Sequence, residues 1–516
     1  MRETFVDSGV AAALQVIDNQ ALYGRRGTGK THALRYLESE LRARRDVAIY
    51  ADLRVVGSPE GLFMGETVSA TERAGRLLVD LLGLVHEGLL AAALEDEELL
   101  TDKMFVRHLD EFMEAITTVH VSGQVEVSRE GEKKDREASS AEISASVWPK
   151  PSIVARMSSE EARESRELLR EVRRGTERIS LNFADIARAL RDVAGSIRTK
   201  RVWLLLDEWS SVPLDVQPLL GEFLVRCVFP VQKITVKIGA IEQQTNSRTR
   251  VDDTMIGIEL GADIAANVDL DELMVYEQNE DRSSNFFRGL LFKHLTSGLD
   301  EPVSISGLRT EGDLIRIGFT DRRSFEELVR AAEGVPRDAI NIAAKAAFRA
   351  GSSKIAMNDV RASARAWFQA DKEAAVRSRP DAQLLLNWII DKVIKQKRAR
   401  GFLVSQKSAG APLLLALFDA RVLHLVRRGY SAQDEPGERY DVWVIDYGAY
   451  VDLIHTKFEP KGSLFGDEED ESDPGSVEVP AQDLRAIRRA ILDLDEFMKQ
   501  EASARGGRLG HFLQVR

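Results

Sequence analysis

The sequence predicts an α/β chain: a parallel sheet wrapped in helices, then an all-helical segment, then a smaller α+β unit. Three observations point there. Short apolar runs at 21–23, 47–53, 202–206 and 234–241 alternate with helical patterns up to about residue 270. A glycine-rich turn sits between the first run and a helical pattern at 33–41. From 281 to 370 the pattern is helical, and between 381 and 455 two helical stretches and a short strand lead into two longer strand-like runs, 422–426 and 440–445.

Length bounds the organisation. A chain of 516 residues accommodates roughly three domains. The expected division is 1–280 for the sheet domain, with a charged insertion at about 119–175, then 281–375, 376–460, an acidic linker at 461–480, and a last amphipathic helix and tail at 481–516. Within the insertion, valines at alternate positions (Val119, Val121, Val125, Val127) suit a β-hairpin with a charged tip, and a disordered loop is the alternative. No run approaches the roughly 20 apolar residues of a membrane helix, and the first residues lack a signal-type apolar stretch. A cytoplasmic protein is expected. The formal charge of −12 argues against a surface coated in nucleic acid. The single cysteine, Cys227, lies in an apolar helical pattern and reads as a buried thiol.

The glycine-rich turn is Gly24-Arg25-Arg26-Gly27-Thr28-Gly29-Lys30-Thr31, followed by His32. It matches G-x-x-x-x-G-K-[ST], whose glycines let backbone N–H groups face phosphates. Lys30 supplies a charge for the β- and γ-phosphates of ATP, and the Thr31 hydroxyl suits Mg²⁺. The helix that follows presents its positive end to the same anion. The run Val202-Trp203-Leu204-Leu205-Leu206 ends in Asp207-Glu208. Acids at the C-terminal end of a buried parallel strand lie where such sheets bind ligands. Asp207 suits Mg²⁺, and Glu208 suits a base that orients and deprotonates the attacking water. After the 234–241 run, Gln243 is the expected residue for positioning that water, with Asn246 in reserve. Arg248 and Arg250 are candidates for an arginine that reaches a neighbouring subunit's γ-phosphate.

Together these features resemble AAA+ ATPases of the origin-recognition-complex type, a family that includes uncharacterised, defence-associated and mobile-element-associated bacterial members. The resemblance spans residues 1 to about 455. It implies a P-loop domain, a helical lid and a C-terminal winged helix. Gly24–Thr31 corresponds to the family's Walker A motif and Asp207–Glu208 to Walker B. Gly334-Val335-Pro336-Arg337 resembles its sensor 2 motif, which implies that Arg337 sits over the γ-phosphate and couples ATP to the lid. The segment 55–200 is longer than the compact family core, and the sensor 1 position is Glu/Gln-rich where the family has Asn, which implies slow hydrolysis.

Between Lys392 and Arg428 nine basic residues (Lys392, Lys395, Lys397, Arg398, Arg400, Lys407, Arg421, Arg427, Arg428) face one acid, Asp419, a local charge of +8. This suits the backbone of double-stranded DNA. The second helix of the unit, near Pro412, offers few polar side chains to base edges. Two functions stay open: a DNA-associated, nucleotide-dependent switch of initiator or loader type, and a signalling or scaffold ATPase that assembles with a protein partner or with copies of itself.

Overall fold

The structure, a computed structural model, describes residues 3–57, 68–122, 144–146, 176–178, 181–197, 201–264, 266–271, 280–297, 305, 307–397, 399–431, 438–453 and 490–504. The expected acidic linker, the charged hairpin tip at 129–137 and the helix expected at 158–174 lie outside these residues.

The strands, in chain order, begin with β1 (Gln20–Tyr23) and β2 (Val47–Asp52). Three short strands of the insertion follow, β3 (Thr118–Ser122), β4 (Ser144–Ser146) and β5 (Thr176–Arg178). Next come β6 (Val202–Asp207), β7 (Ile234–Ala240), the hairpin β8 (Arg248–Val251) and β9 (Thr254–Gly257), and β10 (Ala266–Asp269). Five of them form one sheet in the order β10-β1-β7-β6-β2, every pair parallel. The fold is therefore α/β with a parallel central sheet, as the sequence predicts.

The sheet is buried on both faces: β6 is apolar from Val202 to Leu206, and every position of β6 and β7 is buried, Thr235 and Lys237 of β7 included. Period two divides them. Trp203 and Leu205 join Leu22, Leu34, Leu37 and Leu41 on one side. Val202, Leu204 and Leu206 join the helix Ala70–Leu94 on the other. That helix begins at Ser69, whose hydroxyl accepts the Glu72 amide. It corrects one expectation: by length and composition alone it would qualify as a membrane span. Leu77, Leu78, Leu81, Leu82, Val85 and Leu89 instead fill the sheet's core, so its apolar stripe faces protein.

In the insertion, β3 pairs antiparallel with β4 and also with β5. A pairing of the expected hairpin kind is present, with a third strand the alternation did not announce. The β8–β9 hairpin was also unannounced. Its turn is set by Asp252, in a left-handed conformation at φ 51°.

The helices Glu280–Thr296, Glu311–Gly318, Arg322–Ala332, Pro336–Ala350 and Met357–Trp367 form the helical segment. Glu333 and Gly334, both at positive φ, end the third of these, and Pro336 starts the fourth at its first turn. A π-helical stretch, Phe368–Glu373, continues the fifth toward the C-terminal unit. In that unit the helix Pro380–Ile389 precedes β11 (Gly401–Ser405), and the helix Pro412–Asp419 precedes β12 (Leu423–Ser431) and β13 (Arg439–Ile445). The last amphipathic helix was expected to be continuous over 481–499. Residues 490–492 are instead extended: β14 (Ile491–Leu492) pairs parallel with β11, and the helix is Leu494–Ala504. The sheet order is β12-β13-β11-β14.

One apolar cluster runs from Phe287 through Val329, Val360 and Phe368 to Leu417, Trp443 and Phe497. The helical segment and the C-terminal unit thus share a core rather than meeting across a linker. Ile241, at the end of β7, belongs to the same cluster.

Candidate functional site

The 24–31 loop connects β1 to the helix Lys30–Ala43. Gly24, Gly27 and Gly29 adopt φ of 158°, 89° and 100°, which only glycine tolerates without strain. The loop is closed on itself. Lys30 Nζ donates to the carbonyls of Gly24 (2.7 Å) and Arg25 (3.0 Å), and Thr28 Oγ1 donates to Arg25 O (2.8 Å). Burial pushes the Lys30 ammonium below its ordinary pKa, and Asp271, Glu208 and Asp207, in that order, pull it back. All three carboxylates therefore act electrostatically on this lysine. The helix that starts at Lys30 packs against β6 and β7, which brings Lys30 to the sheet end where Asp207 stands.

Asp207, at the end of β6, is fully buried. Its Oδ2 accepts the Tyr50 hydroxyl at 2.6 Å and its Oδ1 accepts the Glu208 amide at 2.9 Å. Glu208 is half-buried at φ 57°, an uncommon conformation for a residue with a side chain. Arg54 Nη1 stands 3.6 Å from its carboxylate, and Arg54 Nη2 donates to Asp52 Oδ2 at 2.6 Å.

Arg25 and Arg26 diverge. Arg25 turns inward, 4% exposed. Its Nε donates to Asp271 (2.8 Å) and its Nη2 to Glu333 O (3.0 Å). Arg26 is exposed. His32 meets Thr4, and Phe5 packs on its ring edge-on at 5.7 Å. Arg337 opens the helix Pro336–Ala350, and its amide donates to Gly27 O at 3.3 Å while its side chain is exposed. A Cβ on Gly27 would lie 3.0 Å from Arg337 Cβ and 3.1 Å from Val335 Cγ1, so this helix packs on the phosphate loop itself. Thr31 and His32 are half-buried at the same helix start. An apolar pocket adjoins Thr28, Gly29 and His32, walled by Val6, Val10, Leu270, Phe286, Leu290 and Pro336. Its walls suit a flat base more than a charged group.

The residues after β7 behave differently. Gln243 is half-buried on a short turn whose two neighbours face the C-terminal unit: Glu242 pairs with Arg428 at 2.5 Å and Gln244 donates to Asp419 at 2.6 Å. Asn246 is engaged on Gln217 and Leu214 O, beside a different helix. Arg248 faces Glu259 at 3.4 Å and Arg250 faces Asp253 at 3.0 Å, both on the β8–β9 hairpin.

The helix Pro412–Asp419, expected to lie in a major groove, has Leu414, Ala416, Leu417 and Phe418 in the shared core, and its Asp419 end meets Gln244. Six of the nine basic residues pair with carboxylates of this chain: Lys392 with Glu496, Lys395 with Asp391, Arg400 with Glu333, Lys407 with Glu438, Arg421 with Asp371, and Arg428 with Glu242. Lys397 and Arg427 are exposed, and Arg398 lies outside the described residues. Behind this surface Lys372 is buried between Asp338 (2.7 Å) and Asp446 (2.5 Å), and His424 Nε2 meets Asp446 at 2.9 Å.

Sequence reasoning missed Tyr50, Arg54, Asp271, Glu333 and the apolar pocket. Only Asp271 carried a signal, as an acid just past a strand end.

No family model and no curated protein matches the chain. Among solved structures it is similar to the Aeropyrum pernix Orc1 protein in complex with DNA, at 14% identity and TM-score 0.32 over 84% of this chain and 85% of that one. It is also similar to Thermotoga maritima RuvB, at 14% identity and TM-score 0.24 over 53% of this chain and 82% of that one.

Among the described residues no group of three or more His, Cys, Asp and Glu side chains could cage a metal. One hydroxyl (Thr31) and one buried carboxylate (Asp207) do fit Mg²⁺, which takes few protein ligands and keeps its waters and phosphate oxygens.

Proposed function

We propose that the chain binds and hydrolyses ATP as a switch of the AAA+ type, and that its output is the docking of the C-terminal unit. The observation that supports this most is the convergence of Lys30, Asp207, Glu208 and Asp271 at one sheet end, with Arg25 of the same loop joined to Glu333. Lys30 leaves the Gly24 and Arg25 carbonyls for the β- and γ-phosphates, and the loop amides turn to the phosphate chain. The base enters the apolar pocket beside Phe286 and Leu270. Mg²⁺, held through Thr31 and Asp207, supplies neutralising charge on the phosphates. Glu208 takes the proton of the attacking water as its oxygen bonds to the γ-phosphorus and ADP leaves. Gln243 orients that water, and Arg337 swings its exposed guanidinium to the γ-phosphate. Arg248 or Arg250 of a neighbouring copy supplies further charge.

Three of the six pairs, Arg400–Glu333, Arg421–Asp371 and Arg428–Glu242, reach outside the C-terminal unit and favour docking over duplex DNA as the use of those charges. The test is nucleotide binding by calorimetry with hydrogen exchange of 423–428 followed in parallel. ATP should alter exchange there, and Lys30→Ala should abolish both binding and response. Tight ATP binding by Lys30→Ala would overturn the site. Salt-sensitive duplex binding lost on charge reversal at Lys395 and Lys397 would move the output to DNA.

A further inference from the structure

A tyrosine in the middle of an edge strand has no place in the chemistry above, yet it touches the buried carboxylate at its centre. Tyr50 lies on β2, two residues before Asp52, and β2 runs beside β6 with Asp52 opposite Asp207. Its hydroxyl donates to Asp207 Oδ2 at 2.6 Å, a charge-assisted distance. Its ring is covered by Arg35, whose guanidinium carbon stands 3.3 Å from the ring centroid. Arg35 is fixed by Glu38 at 2.8 Å on the helix that starts at Lys30.

Asp207 is held on both oxygens. Tyr50 takes Oδ2, the Glu208 amide takes Oδ1 at 2.9 Å, and Gly239 on β7 leaves room: a Cβ there would stand 2.9 Å from Oδ1 and 3.0 Å from Leu34 Cδ1. A carboxylate so held keeps its rotamer, with one lone pair of each oxygen already engaged.

We infer that Tyr50 is the positioning residue for the metal site: it fixes the Asp207 carboxylate in the orientation in which it would hold Mg²⁺. This rests on the nucleotide reading above. Arg35, stacked on the ring, ties the tyrosine to the helix that carries Lys30 and Thr31, so the metal's two protein contacts move together.

The experiment compares unmodified protein, Tyr50→Phe, Asp207→Asn and the double variant. ATP affinity is measured in EDTA and across a Mg²⁺ titration, and Mn²⁺ binding to the ATP complex is followed by electron paramagnetic resonance. Thermal unfolding checks that each variant folds. Tyr50→Phe should leave ATP affinity in EDTA unchanged and raise the half-saturating Mg²⁺ about 10-fold, the usual effect of removing an outer partner of a metal ligand. The double variant should be no weaker than Asp207→Asn alone, because Tyr50 acts through that carboxylate. A Mg²⁺ titration identical to that of unmodified protein would overturn the inference and leave the nucleotide reading standing. Equal loss in EDTA and in Mg²⁺ would overturn it too, since that is a structural role. Failure of unmodified protein to bind ATP in either condition would overturn both.

Discussion

Replacing Arg400 with Met tests what holds the C-terminal unit against the end of the helix Arg322–Ala332, beside Arg25 of the glycine-rich loop. Its guanidinium meets Glu333 at 2.5 Å, with the side chains 12% and 6% exposed. Removing one partner of such a buried pair leaves the other charged and dry, which costs about 3–5 kcal/mol. Arg25 lies close enough to Glu333 to be influenced by it, so the lower end applies. A loss of about 3 kcal/mol is roughly 100-fold in the ratio of docked to undocked forms. Arg428 and Glu242 make a contact of the same length at 42% and 40% exposure, and exposed pairs contribute about 0–1 kcal/mol. Hydrogen exchange of the 241–244 and 423–428 amides, with denaturant unfolding alongside, should therefore respond strongly to Arg400→Met and weakly to Arg428→Ala. Adding Glu333→Gln to Arg400→Met should restore part of the loss. An Arg428→Ala effect equal to that of Arg400→Met, or a fully additive double variant, would refute this assignment of the docking energy.

Glu208→Gln should bind ATP with little change and hydrolyse it at least about 100-fold more slowly, a typical share for a positioned base; phosphate release at saturating ATP measures it. Burial, with a contribution from Arg25, pushes His424 down to about 4. Between pH 6.5 and 4 the unfolded chain then binds more protons than the folded one, so stability is lost as pH falls through that window, by up to about 3 kcal/mol. Chemical unfolding at stepped pH should show this slope in unmodified protein and a flatter one in His424→Gln. Gly27→Val places a branched side chain at φ 89° and within 3.1 Å of Val335; it should weaken both ATP affinity and thermal stability, the left-handed backbone alone costing about 1–2 kcal/mol.

The turn of the glycine-rich loop and the Asp207–Glu208 strand end were legible in the sequence as places, because Gly24, Gly27 and Gly29 meet the positive φ of the turn and two acids close an apolar run. The parallel sheet was legible because β6 is apolar up to Asp207 and β7 carries apolar residues at Ile234, Val236, Ile238 and Ala240. Tyr50 was not, since a tyrosine in a strand is what β-propensity selects anyway. The charge count over Lys392–Arg428 could not show pairing because it ran along the chain: Glu242, Glu333, Asp371, Glu438 and Glu496, which pair with those cations, lie outside the stretch or on other elements. The β8–β9 hairpin was hidden because the polar Arg248–Asp253 segment reads as loop.

The short strand β14 has a practical consequence for anyone trimming the chain. Beginning the excision anywhere before Ile491 strips the partner from one side of β11, and it removes Phe497 and Gln500 from Trp388, whose indole they contact. The trimmed molecule would present a bare strand flank beside an uncovered indole, an invitation to self-association. A shortened version that precipitates would thus report on a missing sheet margin rather than on any defect in the nucleotide half.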